Sequence, residues 1–159
     1  MSDDIVVGRG RLFASDQLLW LVDLGLTPVP PPGKGNGLLV VTQPGAALLF
    51  TGIHTGWVDV EVETRRSPPA EPAPDEGWEE IVDVSLVAPT GQVRITSFAA
   101  FDPEPLPVLT AAGAGTYRVR VHAAGRGINV DGTATEPVER YRLVTWPGPV
   151  APDHVHRSA

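Results

Sequence analysis

Asp59, Glu61 and Glu63 are the first residues in this chain whose types and spacing could do chemistry. They alternate with valines in Trp57-Val-Asp-Val-Glu-Val-Glu63, so a β-strand carries all three carboxylates on one face, with i, i+2 neighbours about 7 Å apart. Carboxylates at such separations serve glycoside hydrolysis, where one protonates the leaving group and another acts as base or nucleophile. The same three residues are also the ordinary polar face of a half-buried strand, and that is the reading adopted. His54, between Gly52-Ile53 and Thr55-Gly56, could sit at a strand end and join His122 as a metal pair. The cupin-like cluster of histidines and a glutamate at short spacing is missing, so both are read as satisfied or exposed side chains. Asp153, His154 and His156 are suitable ligand types, but they fall in a segment with nothing to fix their geometry. Gly33-Lys-Gly-Asn-Gly37 lacks the hydroxyl after Lys34 and the helix that a phosphate loop needs. No Gly-x-Ser-x-Gly elbow marks a serine nucleophile, and with no cysteine there is no thiolate, disulfide or Cys-type zinc site. The expectation is a non-enzymatic chain with no cofactor and no metal.

The elements that would hold these residues are strands. The chain has 159 residues, 42% hydrophobic and 19% charged, with 17 glycines and 17 prolines. That size suits one domain, and the composition is neither disordered nor collagenous. Apolar runs are short, several have period two, and Gly or Pro bounds them, which predicts an all-β antiparallel two-sheet sandwich or jelly roll of about nine strands over 1–150. The N-terminal apolar runs break at Gly8-Arg9-Gly10 and at Ser15-Asp16. Leu38–Val41 and Ala46–Phe50 form a hairpin through Pro44-Gly45. Val58, Val60 and Val62 face inward on one strand, Val82, Val84 and Leu86 on a second, and Tyr117, Val119 and Val121 on a third, leaving Arg118, Arg120 and His122 outward. A further strand runs from Gln92 to Phe98, and Trp20 and Trp146 are assigned to the core. Loops 27–37 and 67–77 are proline-rich and exposed, the second mobile and acidic, and 151–159 is a flexible tail. No run of eighteen apolar residues and no basic, apolar leader is present, so the expected location is cytoplasmic, with no membrane contact.

Charge adds a direction. The net charge of −7 lies between Asp59 and Asp83, where nine acids meet two bases, leaving ten of each sign elsewhere. Such a segment repels nucleic acid and steers basic partners. Trp57 and Trp78 stand at strand ends beside it as candidate interface anchors. The expected partner-binding set is therefore Trp57, Asp59, Glu61, Glu63, Trp78, Glu79, Glu80 and Asp83. Reversing Glu79, Glu80 and Asp83 to Lys is expected to slow association without unfolding the domain.

The segment Gly115-x-Tyr117-Arg-Val-Arg-Val-His122, then a polar loop, Glu139-Arg-Tyr-Arg-Leu-Val144 and Trp146-Pro147, resembles the competence-associated nuclease inhibitor family (competence protein J-like). Leu12-Phe-Ala-Ser-Asp-Gln17 and Trp78-Glu-Glu-Ile-Val-Asp-Val-Ser85 are similar to strands of that family and of related uncharacterised actinobacterial β-proteins. The resemblance implies a small, non-enzymatic, immunity-like β-protein that binds a basic partner, a DNA-entry nuclease, and blocks it. The family lacks the long proline-rich loops found here at 27–37 and 67–77. The alternative left open by the residues is a small-ligand-binding or metal-dependent β-sandwich protein using His54 and the outward carboxylates.

Overall fold

A computed structural model describes residues 5–31, 33–73, 76–97 and 106–159. Eleven strands and no helix occur among them: β1 Val6–Ala14, β2 Leu18–Val22, β3 Leu39–Gln43, β4 Ala46–Phe50, β5 Thr55–Thr64, β6 Glu80–Ala88, β7 Arg94–Thr96, β8 Gly115–Ala124, β9 Thr133–Ala134, β10 Arg140–Pro147 and β11 His154–Arg157. They form two sheets. The larger has the order β1-β5-β10-β8-β6-β11, with β9 beside the start of β5, and the smaller has the order β3-β4-β2-β7. The predicted β-sandwich is therefore the observed architecture. Pairing is antiparallel except at β5–β10 and β5–β9, which are parallel.

The alternation seen in the sequence places the core. Val58, Val60, Val62, Val82, Val84, Leu86, Tyr117, Val119 and Val121 are all buried between the sheets, facing Leu19, Leu21, Leu39 and Leu49 of the smaller one. The Pro44-Gly45 hairpin forms as expected, with Gly45 at φ 83° as the turn requires. Trp146 is buried on the outer face of the larger sheet, whereas Trp20 is only half-buried. At the inner end of β10 the buried Glu139 carboxylate accepts the N–H groups of Gly52 (2.9 Å) and Ile53 (2.6 Å) and the Tyr141 hydroxyl. It thereby ties the chain before β5 to β10, and each of these charge-assisted bonds is stronger than a neutral one. Asp23 does similar work at the other end. Burial alone would raise its carboxyl, but bonds from the Thr90 hydroxyl and the Thr90, Leu24 and Gln92 amides hold it below the usual range.

Two local expectations change. β1 runs unbroken through Gly8-Arg9-Gly10, because those glycines are a notch: a Cβ at Gly8 would lie 2.3 Å from Pro107 Cδ, where the chain 106–107 packs beneath the strand. The second expected break, at Ser15-Asp16, is found: Asp16 and Gln17, with φ values of 56° and 63°, make the two-residue turn that carries the chain to the other sheet. Residues 154–157 are not a frayed tail but an edge strand on β6. The predicted strand 92–98 is found as β7, and its Phe98 lies outside the described residues.

The glycine notch sets a stability test. Gly8→Ala should cost roughly 1–3 kcal/mol through the clash with Pro107. Gly10→Ala, whose Cβ would sit 3.4 Å from Leu106 Cδ2, should be neutral or stabilising by about 0.5 kcal/mol through reduced unfolded-state freedom. Urea midpoints of the two variants give the answer, and equal costs would sink the notch.

Candidate functional site

The outer face of the larger sheet carries nearly every charged residue that the sequence singles out. Register explains why. On β5, Asp59 lies opposite Arg11 of β1 and Arg140 of β10, and Glu61 opposite Arg9 and Arg142. The contacts are Arg11 Nε to Asp59 at 3.4 Å, Arg9 Nε to Glu61 at 3.3 Å, and Arg142 Nη2 to Glu63 at 2.9 Å, with Arg65 also on Glu63 at 3.4 Å. On the neighbouring strands Arg120 of β8 grips Asp83 of β6 through two bonds of 2.8 and 3.1 Å. Glu80 binds Arg126 at 2.5 Å. Asp59, Glu61, Glu63, Glu80 and Asp83 are thus each paired in space with an arginine that, Arg65 apart, comes from outside the acidic segment, and the β5 acids meet arginines on β1 and β10, not those of β8.

Two segments cover part of this face. The described parts of the proline-rich loop that was expected to be mobile, 67–73 and 76–77, lie against it with Trp78 as a strap, their carbonyls taking guanidinium N–H groups: Arg120 to Ala70 O (3.0 Å), Arg157 to Ala73 O (3.2 Å) and Trp78 O (2.5 Å), and Arg140 to Gly77 O (3.1 Å). The C-terminal segment is held by Arg118 on Ala151 O (3.0 Å) and Pro152 O (3.1 Å). Under them Glu63, Asp83, Arg120 and His122 are buried although their side chains leave the core face. His156 Nε2 stands 2.9 Å from Asp83 Oδ2, outside hydrogen-bond alignment. Burial alone would raise the Asp83 carboxyl, but Arg120 and His156 outweigh it and hold it low. Burial presses the His122 imidazole down to about 4, against a weaker upward pull from the Arg142 carbonyl on Nδ1.

What stays open is a cleft of about 410 Å³ between β1 and the strap, lined by Arg9, Arg11, Asp59, Glu61, Trp78 and Arg140. A second concavity of about 250 Å³ adjoins it, sharing Asp59 and Arg140 and reaching Glu79, Ile128 and Val138. Of the expected partner-binding set, Asp59, Glu61 and Trp78 line the cleft and the exposed Glu79 rims it, its carboxylate accepting the Gly125 N–H at 2.6 Å. Glu63, Glu80 and Asp83 are members of internal ion pairs. Trp57 packs edge-on against Phe13 (5.2 Å), outside the cleft. Trp78 is itself buried, its ring between Arg140 (4.1 Å) and His122 (5.4 Å). The reading missed Arg9, Arg11 and Arg140. Their signal was present in Arg9-Gly-Arg11 and Arg140-Tyr-Arg142, where charge alternates with Gly or Tyr just as it does on β5.

His54 is exposed in the turn before β5, its Nδ1 2.8 Å from Thr55 Oγ1 and Nε2 3.7 Å from Asp16, and it does not line the cleft. The described residues hold no group of three or more His, Asp or Glu side chains placed for a metal. Among them there is no helix long and apolar enough to cross a membrane.

The depressed histidine sets a pH dependence. An unfolded histidine titrates near 6.5, so between there and about 4 the unfolded chain binds a proton that the folded chain refuses. Stability should be full above pH 6.5 and fall by roughly 3 kcal/mol as pH drops through that window, before Asp23 and Asp83 begin to protonate. Urea unfolding from pH 7 down to about 4.5 measures it, and the same slope in His122→Phe would falsify the assignment.

No family model matches the chain, and no curated protein matches it. Among solved structures it is similar to "Crocagin biosynthetic gene J", with a TM-score of 0.56 and 17% identity over 94% of this chain and 100% of that one. At that identity the likeness shows a shared fold alone.

Proposed function

We propose that this chain is a non-enzymatic interaction protein, of the kind nuclease inhibitors and immunity proteins are, and that it docks a basic partner on the outer face of its larger sheet. The observation that carries the reading is the cleft itself. It is open and framed by Trp78 and Arg140, two residue types enriched in interface hot spots, and the exposed apolar side chains Ile128, Val130 and Val138 lie on the loop beside it. Its carboxylates are tied to arginines, an arrangement suited to a rigid contact surface. Around it Glu71, Glu76 and Glu79 are exposed on and beside the strap, and these favour a cationic protein surface. A nuclease is the partner class that the resemblance in the Tyr117–His122 and Glu139–Pro147 segments points to. Membrane and direct nucleic-acid contact are not part of the proposal, and neither is a cofactor.

The contact set differs from the one expected from sequence. Asp83→Lys would leave Arg120 buried without its carboxylate, at a cost of roughly 3–5 kcal/mol, so the Glu79, Glu80 and Asp83 reversal unfolds the domain rather than testing its surface. The informative variant reverses Asp59, Glu71 and Glu76, which are all exposed. With a purified DNA-entry-type nuclease, the unaltered chain should bind in a salt-dependent manner and suppress DNA cleavage. The triple reversal should slow association roughly tenfold or more with little change in the unfolding midpoint. Absence of both binding and inhibition at low salt would overturn the reading.

A further inference from the structure

Three guanidinium groups, Arg9, Arg11 and Arg140, face two carboxylates, Asp59 and Glu61, in the 410 Å³ cleft. In a chain of net charge −7 the groups lining this open site sum to +1, and with Glu136 on Arg11 (3.5 Å) and Arg142 on Glu61 (3.7 Å) added, four guanidinium groups still face three carboxylates. The surplus has an identifiable owner. Arg9 and Arg11 are engaged by Glu61, and by Asp59 and Glu136. Arg140 is exposed and has no carboxylate within ion-pair distance among the described residues; its contacts are the Trp78 ring and the Gly77 carbonyl.

Arg140 is nonetheless held firmly in place. Its guanidinium lies 4.1 Å from the Trp78 ring centroid and donates to Gly77 O at 3.1 Å. Gly77 has φ +80°, a conformation that favours glycine, and a Cβ there would lie 2.9 Å from Nη2 and push the guanidinium off its place. Trp78 is fixed in turn by the Glu79 N–H to Ala123 O bond (3.0 Å) and by Arg157 on its own carbonyl. A guanidinium stacked on an aromatic ring, with one of its five N–H groups spent on a carbonyl, is a preorganised fork for an oxyanion. Loss of side-chain freedom, a main cost of binding, has already been met during folding.

We infer that the Arg140 cleft is a binding site for a monoanionic carboxylate, supplied either by a free small molecule or by an acidic side chain of the docked partner. A carboxylate matches the surplus of one positive charge and accepts two parallel N–H bonds from the fork. A phosphate dianion would bring its second charge against Asp59 and Glu61, so it suits the site less well. The inference rests on the reading of the outer face as the docking surface, and it adds an acidic anchor at the centre of a surface whose rim favours a basic partner. Charges of both signs at fixed positions set the register of a docked protein.

The test is a proton–nitrogen NMR titration of the full chain at pH 7 with benzoate, using neutral benzamide and inorganic phosphate as comparison probes. Benzoate should shift the Trp78 indole and Arg140 Nε–H resonances saturably, with a dissociation constant on the order of millimolar. Arg140→Gln should weaken this roughly tenfold or more, Arg140→Lys should retain part of it, and Lys34→Gln should leave it unchanged. No saturation up to about 50 mM, an equal response in Arg140→Gln, or benzamide or phosphate binding as well as benzoate overturns the inference. The same Arg140→Gln chain, assayed against the nuclease, separates the two sources. Weaker nuclease binding assigns the carboxylate to the partner, and unchanged binding assigns it to a free molecule. Nuclease binding without any benzoate response removes this inference alone, and benzoate binding without nuclease binding removes the function proposed above alone.

Discussion

Arg120 must satisfy its guanidinium on a face that two segments of the chain close off from water. It does so with two bonds to Asp83 on the adjacent strand and a third to the Ala70 carbonyl on the strap, while its plane lies 5.5 Å from the Trp146 ring. Sheet pairing, strap and tryptophan are thereby joined at one side chain. A buried ion pair of this kind adds little net stability over an apolar pair, but removing either partner is costly. What it provides is position: it holds Ala70 of the strap to the sheet, as Arg140 holds Gly77, and Trp78 beside them forms the second wall of the cleft.

The same device recurs across the face. Arg118, Arg140 and Arg157 each donate to main-chain carbonyls of the covering segments rather than seeking carboxylates alone. Proline-rich chain is suited to this role. Its carbonyls have few internal partners, and its restricted φ reduces the entropy lost when it is laid down. A sheet face that looks polar in sequence is in this way converted into a second, smaller packing layer, in which Trp78, Ile81 and Ala124 cluster on the side opposite the main core.

Period-two alternation made the sandwich legible, because each inward Val or Tyr of β5, β6 and β8 sits where a pleated strand with one buried face requires it. The hairpin at Pro44-Gly45 was legible for a local reason, the left-handed glycine. Less could be read wherever the deciding partner is distant in sequence. Gly8 and Gly10 read as breakers until Leu106 and Pro107 fill the space beneath them. His156 and Arg157 read as a tail until β6 offers an edge. Asp59, Glu61, Glu63, Glu80 and Asp83 read as free charge because, Arg65 apart, their arginines lie at 9, 11, 120, 126 and 142, and no local pattern reports that pairing. The cleft shared this fate: its carboxylates were found and its arginines were not.

The parallel pairing of β5 with β10 joins residues about eighty positions apart, as Asp59 with Arg140. During synthesis β5 can receive β1 soon after it emerges, while its other edge waits for the rest of the chain. An apolar strand of Val58, Val60 and Val62 left with one bare edge is a template for wrong pairing with other molecules. Asp59, Glu61 and Glu63 stand along that edge, where like charges on two nascent chains repel each other until Arg140 and Arg142 arrive. Asp59 and Glu61, which frame the cleft in the finished protein, thus also have the charge and the placement of gatekeepers against aggregation while it is being made.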